Sequence, residues 1–153
     1  MAFIKSAKQP GCIFCGISAR SSDLRERLVL AVTKHSVVML NRYPYNNGHL
    51  MIAPRRHTND FDRLSATARV DLAETLRRSI TIVRRALRPD GMNVGLNLGQ
   101  VAGAGIADHL HWHIVPRWSG DTNYMPVIAD TKVMPQHLHE SYDALASRFA
   151  RLR

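Results

Sequence analysis

Residues 109–116 read HLHWHIVP, and this stretch decides how the rest of the chain is interpreted. Side chains along a β-strand alternate between the two faces of a sheet. A strand here therefore places His109, His111 and His113 on one face and the apolar residues between them on the other. Three histidines in strict alternation are improbable by chance in a chain with eight, so the row is interpreted as functional.

A glycine-rich loop precedes this strand. Residues 92–98 form a second strand candidate, and residues 99–105 connect the two candidates with three glycines, Gly99, Gly103 and Gly105. Glycine lets backbone N–H groups approach an anion closely, as phosphate-binding loops require. The loop alone is a weak indication of a phosphate site.

The middle of the chain predicts one long helix. Ser65 is a suitable N-cap, and Pro89 with Gly91 ends the pattern. Its apolar positions recur at helical spacing, and five arginines on the other face are interpreted as a solvated surface. The apolar positions are Leu72, Leu76, Ile80, Val83 and Leu87, and the arginines are Arg77, Arg78, Arg84, Arg85 and Arg88.

The remaining apolar runs complete an α+β pattern. Strand candidates joined by short turns and interrupted by one long helix favour a mostly antiparallel sheet of about five strands over a parallel alternating fold. The other elements are strands over residues 28–32, 37–40 and 49–53 and a C-terminal helix over residues 135–152.

The length of 153 residues fits a single domain, and the 45% hydrophobic content supplies its core. We divide the chain into an N-terminal segment (1–27), a core (28–118) and a C-terminal extension with its helix (119–153). No apolar run is long enough to span a membrane, and the N-terminus lacks the apolar core of a signal peptide, so a soluble cytoplasmic protein is expected. The net charge of +9 favours anionic partners without separating nucleotides from nucleic acid or lipid.

Two chemical hypotheses remain open for the histidine row, and three hypotheses remain open for the only cysteines, Cys12 and Cys15. Neutral imidazole serves both as a metal ligand and as a nucleophile, so the row allows a tri-histidine zinc site or covalent catalysis. The cysteine spacing is typical of a metal knuckle or a redox pair, and an unmetallated pair is the third reading. The surrounding residues lack a thioredoxin-like setting, which disfavours the redox reading.

Taken with its surroundings, the row resembles the histidine-triad family, whose hallmark is His-x-His-x-His followed by two apolar residues. Further features occur in the family's order over about two-thirds of the chain. These are Asn41 before a turn, Gly48 and His49 opening a strand, Pro54 followed by His57, the loop over residues 97–105, and Pro116 with Arg117.

The resemblance implies nucleotidyl transfer in two displacements. His111 would attack the α-phosphorus of a nucleotide, oriented by the backbone carbonyl of His109, and water or another acceptor would release the nucleotidyl group. His113 would contact the phosphate. His49 would be a buried partner of the triad, although a satisfied core histidine is an equally weighted interpretation of His49. Nucleotide contacts are also expected from Asn41 at the ribose and from Asn97, Gly103 and Gly105 at the phosphate.

The resemblance also implies a structural zinc ion, no organic cofactor and a homodimer whose sheet continues across both subunits. The zinc ligands would be Cys12, Cys15, His57 and His109. A strand at the edge of the sheet is consistent with self-pairing.

One departure concerns the residue after the last glycine of the loop. Many family members place a glutamine or a hydroxyl residue there, whereas this chain has Ile106. The loop and the residues after Arg117 resemble the branch that acts on dinucleoside polyphosphates. Hydrolysis of a dinucleoside polyphosphate such as diadenosine tetraphosphate is therefore the first expectation, with phosphorolysis or phosphoramidate cleavage as the enzymatic alternatives.

Two rival functions have different signatures. A nucleic-acid-binding module would bind in a salt-dependent way without His111, but no motif with interleaved aromatics supports it, so nucleic acid is not expected as a partner. A zinc hydrolase that uses all three histidines as ligands would need no covalent step and would be inhibited by chelation.

Overall fold

The computed structural model describes residues 11–121 and 137–152, which form one antiparallel sheet and two α-helices. The five strands lie in the order β1-β2-β3-β5-β4, and every neighbouring pair is antiparallel. This confirms the predicted α+β class. The strands are β1 (Val29–Val32), β2 (Ser36–Leu40), β3 (Leu50–Pro54), β4 (Gly91–Leu96) and β5 (Trp112–Arg117), and the helices are α1 (Ala66–Leu87) and α2 (Leu138–Phe149).

The observed start of β5 corrects one detail of the sequence prediction. The strand begins at Trp112, whereas the sequence predicts a strand from His109. Its pairing with β3 extends only to the register pair Ile52 and Trp112. Before that point the backbone N–H of Leu110 donates to the carbonyl of Thr58, outside the sheet. Only His113 therefore lies on the strand, and strict alternation does not position the first two histidines.

Helix α1 matches its sequence signals closely. The Ser65 hydroxyl accepts a hydrogen bond from the N–H of Ala68, as an N-cap does, and the helix ends at Arg88 in the left-handed conformation. Its five predicted apolar positions all belong to the core or pack against it. The second helix begins at Leu138, and the first residues of its predicted range, 135 and 136, lie outside the described part of the chain. Neither helix could cross a bilayer, as far as the described residues show.

The sheet separates two apolar clusters. Alternate residues of β3 face opposite sides, so Leu50 and Ile52 join the cluster beneath both helices, while Met51 joins a second cluster with Phe14. Since Met51 is the register partner of His113, that histidine lies on the face away from the helices. The triad and the helices therefore occupy opposite sides of the sheet.

Candidate active site and metal centre

His111 is held in a defined tautomer by the backbone. Its Nδ1 lies 2.8 Å from the carbonyl oxygen of His109, an acceptor, so Nδ1 carries the proton and donates. Nε2 is then left with its lone pair. The ring is buried, and burial lowers the pKa of His111 below its usual value, against the opposing effect of the His109 carbonyl. His111 therefore presents a neutral, unprotonated nitrogen.

His113 receives the opposite tautomer through His49. The N–H of Tyr45 donates to Nδ1 of His49 at 3.0 Å, which places the His49 proton on Nε2. That Nε2 lies 2.8 Å from Nδ1 of His113 and donates to it. The remaining proton of His113 is consequently on Nε2. Burial, followed by the charge of His111, lowers the pKa of His113 to about 4.

Two neighbouring imidazoles thus offer different chemistry. The ring centroids of His111 and His113 are 4.9 Å apart in an edge arrangement. One ring offers a lone pair and the other an N–H. This pair suits nucleophilic attack beside a hydrogen-bond donor for the charge that develops on a phosphate oxygen or a leaving group.

Replacing His49 by leucine is expected to lower kcat by about 10- to 100-fold, because His113 would lose the donor that fixes its proton on Nε2. His49→Gln, whose side-chain amide can donate, is expected to recover part of the loss. Steady-state kinetics on both variants, with His35→Leu as a matched control, measure the effect. An unchanged kcat in His49→Leu would leave His49 as an ordinary core histidine.

The predicted phosphate loop borders the triad. A cavity of about 270 Å³ lies between Asn97 and His109, with the loop residues Gly99 and Gln100 in its wall. Gly103 has a φ of +89°, which favours glycine, and a Cβ at this position would lie beside Nδ2 of Asn97. Asn97 therefore lies at a cavity that His109 also lines, and its contact with phosphate stays a prediction.

Two other residues predicted to contact the nucleotide, Asn41 and Gly105, do not line this cavity. Asn41 is buried at the end of β2, and its side-chain oxygen accepts a hydrogen bond from the N–H of Tyr43, so it shapes the loop that leads to His49. Gly105 lies in an exposed bend. Ile106, at the position of the family's usual polar residue, packs against the apolar cluster that contains Phe14. Ile106 thus contributes to packing on this face of the sheet.

The four predicted metal ligands converge. Sγ of Cys12 lies 3.2 Å and Sγ of Cys15 3.7 Å from Nδ1 of His109, and Sγ of Cys15 lies 3.3 Å from Nδ1 of His57. The two Nδ1 atoms are 3.2 Å apart, and all four donor atoms lie within 4.8 Å of one another. Tetrahedral zinc separates two nitrogens by about 3.3 Å and a nitrogen from a sulfur by about 3.6 Å, so the donor set fits the ion.

The tautomer of His109 supports the same fit. Its Nε2 lies 2.7 Å from the carbonyl oxygen of Pro54 and must donate to it. The lone pair is therefore on Nδ1, the atom that faces the two thiols. Burial lowers the pKa of His109, against the opposing effect of its hydrogen bond to the Pro54 carbonyl, and so keeps the ring neutral as a metal ligand requires.

Sequence reasoning missed two aromatic residues beside the triad. Phe14, which is 1% exposed, packs against the rings of both His109 and His111, at centroid distances of 5.1 and 5.3 Å. Tyr45 packs against His49 at 4.8 Å and lies stacked near His113 at 6.2 Å, with 65% of its surface exposed. The position of Phe14 between the two cysteines was the available signal for the first, whereas Tyr45 was visible only as a member of a turn.

The antiparallel sheet and the cluster of histidines on its face away from the helices define a protein of the histidine-triad class. The family comparison gives the same class. The HIT domain model matches residues 25–120, so the chain belongs to the HIT family.

Two relatives with enzyme names share much of the chain. An AP-4-A phosphorylase of Mycobacterium tuberculosis strain H37Rv is 40% identical over 146 residues, covering 95% of this chain and 74% of that protein. An adenosine 5'-monophosphoramidase of Schizosaccharomyces pombe is 30% identical over 106 residues, covering 69% of this chain and 74% of that protein. Both names describe nucleotide-processing enzymes.

Solved structures share the fold. A zinc-bound histidine triad family protein of Mycobacterium smegmatis superposes with a TM-score of 0.64 at 25% identity, covering 82% of this chain and 85% of that one. A hypothetical histidine triad nucleotide-binding protein of Sulfolobus tokodaii gives a TM-score of 0.68 at 22% identity, covering 92% and 93%.

Proposed function

We propose that this protein cleaves a dinucleoside polyphosphate, with diadenosine tetraphosphate as the first candidate, by transferring a nucleotidyl group through His111 to inorganic phosphate. The observation that carries the proposal is the pair of opposite tautomers: a lone pair on Nε2 of His111 beside an N–H on Nε2 of His113. A metal site made of all three histidines is disfavoured, because Nδ1 of His109 faces Cys12 and Cys15 instead.

In the first displacement, Nε2 of His111 attacks the α-phosphorus and a P–N bond forms. The bond from that phosphorus to the bridging oxygen breaks, and a nucleoside triphosphate leaves when the substrate has four phosphates. Nε2–H of His113 is placed to hydrogen-bond an oxygen that gains charge in this step. Nδ1–H of His111 stays on the His109 carbonyl, which stabilises the ring as its charge increases.

In the second displacement, an oxygen of inorganic phosphate attacks the same phosphorus and the P–N bond breaks. The product is a nucleoside diphosphate, and His111 returns to its neutral form. Water as the acceptor would give a nucleoside monophosphate instead. The products therefore separate the two reactions directly.

The relatives favour phosphate over water as the proposed acceptor. From the sequence, hydrolysis was the first expectation and phosphorolysis an alternative, but the 40% identical relative is named a phosphorylase. Phosphoramidate cleavage remains the second enzymatic candidate, on the basis of the 30% identical phosphoramidase.

The deciding experiment follows the products of diadenosine tetraphosphate by chromatography with and without phosphate. We expect ADP and ATP, at a rate that rises with phosphate concentration. AMP and ATP at a phosphate-independent rate would assign hydrolysis. Turnover of adenosine 5'-phosphoramidate alone would assign the phosphoramidase reaction.

We also propose a structural role for zinc, held by Cys12, Cys15, His57 and His109. The ion would cross-link the N-terminal segment, through the two cysteines, to the residues that precede β5, through His109. His109 lies two positions before His111, so the cross-link would reach the nucleophile. Bound there, zinc would supply only this cross-link. The ring of His109 would coordinate while its carbonyl orients the nucleophile.

A homodimer is the proposed assembly. Strand β4 lies at one edge of the sheet, and Val94 on it is 40% exposed. An exposed edge can pair with a second copy and continue the sheet. Sedimentation equilibrium is expected to give twice the chain mass of 17.2 kDa, and a monomer at micromolar concentration would contradict the assembly.

The free energy of unfolding should decrease in mild acid because of His113. Its pKa is about 4 in the folded protein, whereas an unfolded histidine titrates near 6.5. Between these values the unfolded chain binds more protons, so this contribution to stability is complete above about pH 6.5 and is lost as the pH falls towards 4. Urea unfolding at about pH 7.5 and pH 5 should show a larger loss in wild type than in His113→Gln, and equal losses would exclude His113 as the source.

A further inference from the structure

A basic cleft lies between α1 and α2, on the face of the sheet opposite the triad. Its volume is about 570 Å³, and five arginines line it: Arg77, Arg78 and Arg85 from α1, Arg148 from α2 and Arg151 just beyond it. These two groups are more than 60 residues apart in sequence, so the fold brings them together. The sequence predicts the α1 arginines only as a solvated surface, and the fold adds the arginines at the end of α2 to three of them.

The charges in this cleft are poorly compensated. Its lining includes no acidic side chain, and ion pairing within residues 11–121 and 137–152 accounts only for Arg77, which binds Glu74 at 2.6 Å. Arg78 donates instead to the carbonyl of Arg151 at 2.6 Å, which fixes one end of the cleft. Arg85 and Arg148 have no carboxylate partner in the same ranges. Several guanidinium groups around one concavity repel one another, and an anion between them would relieve that repulsion.

The lining also indicates the kind of anion. Guanidinium groups bind phosphate oxygens in a bidentate manner. The hydroxyl of Ser147 adds a neutral donor, whereas that of Thr81 donates to the carbonyl of Arg77. None of the described residues that line the cleft is aromatic, so they provide no stacking platform of the kind with which proteins bind single-stranded nucleic acid. Its volume is that of a small-molecule site.

We propose that this cleft binds a short phosphate chain, either inorganic polyphosphate or the phosphate chain of a nucleotide, at a site distinct from the catalytic histidines. Because the sheet separates the cleft from the triad, binding there does not depend on the proposed reaction. An extended nucleic acid would require contacts beyond the cleft and is the competing outcome.

The test is titration of the full-length protein with inorganic tripolyphosphate, ATP and a 12-nucleotide single-stranded RNA, followed by calorimetry and by the arginine Nε–H resonances in NMR spectra. Tripolyphosphate is expected to shift resonances that disappear in Arg85→Gln and Arg148→Gln. The double variant should lose tenfold or more in affinity, with turnover unchanged. ATP binding as tightly as tripolyphosphate would show that the phosphate chain is recognised without the nucleoside.

The matched control, Arg20→Gln with Arg63→Gln, removes the same charge outside the cleft and should bind like wild type. Arg85→Lys with Arg148→Lys keeps the charge and should fold, which guards against an unfolded glutamine variant. An equal loss of affinity in the control and cleft variants would mean that net charge alone explains the binding, and the proposed site would be wrong. Binding of RNA without tripolyphosphate through these arginines would overturn the assignment to a short phosphate chain.

Discussion

Replacing His111 by alanine should abolish the covalent nucleotidyl adduct and lower kcat/KM by about 1,000-fold or more, because Nε2 of His111 carries the lone pair whereas Nε2 of the neighbouring His113 carries a proton. In the described structure, His111 combines a buried neutral ring, a backbone acceptor on Nδ1 and a lone pair on Nε2. Rapid acid quenching in the presence of diadenosine tetraphosphate, followed by mass spectrometry, measures the adduct. Initial rates measure the loss of turnover.

The controls separate chemistry from folding. His35→Ala removes a histidine outside the site and should leave both adduct and turnover intact. Circular dichroism and metal content of His111→Ala should match wild type. A variant that keeps wild-type turnover would rule out His111 as the nucleophile, and turnover that requires His111 but is abolished by chelation without any adduct would favour the zinc hydrolase.

Replacing Cys12 and Cys15 together by alanine should eliminate zinc binding and lower Tm by about 10 °C. An ion present at 1,000 times its Kd stabilises the folded state by about 4 kcal/mol, and each kcal/mol corresponds to about 2–4 °C in a chain of this size. Inductively coupled plasma mass spectrometry should find about one zinc per wild-type chain and none in the variant. Differential scanning calorimetry gives the Tm.

Chelation supplies the matched comparison for the cysteine variant. Wild type stripped of metal should unfold at the temperature of the cysteine variant, and adding zinc should restore only the wild type. Equal Tm values for wild type and variant in zinc-supplemented buffer would contradict a structural metal site. Cys15 would then be an ordinary thiol, whose pKa is raised by burial and by its contact with Cys12.

The sequence anticipated the elements better than the arrangement of the triad. Helix α1 was predictable to within a residue, because Ser65, Pro89 and the apolar spacing are local signals. The start of β5 was not, because it depends on where β3 stops pairing, and a hydrogen bond from Leu110 to Thr58 ends the strand instead. A tertiary contact here overrides a regular alternation.

The metal cluster was predicted residue by residue from the family resemblance, and its four side chains do converge. Composition and spacing alone left the cysteines open to three readings, since nothing in the local pattern identifies His57 and His109 as their neighbours. The position of Phe14 between the two cysteines was the one signal of its contacts, and the joining of two arginine groups into one cleft had no local signal. Each depends on packing between segments far apart in the chain.

The protons of the histidines are assigned chiefly by the main chain: the carbonyl of Pro54 for His109, that of His109 for His111, and the N–H of Tyr45 for His49. Side-chain substitution does not remove a peptide group. The protonation pattern is therefore kept wherever the path of the backbone is kept. Evolution can exchange the surrounding side chains, and with them the preferred nucleotide, without changing the acid–base character of each ring.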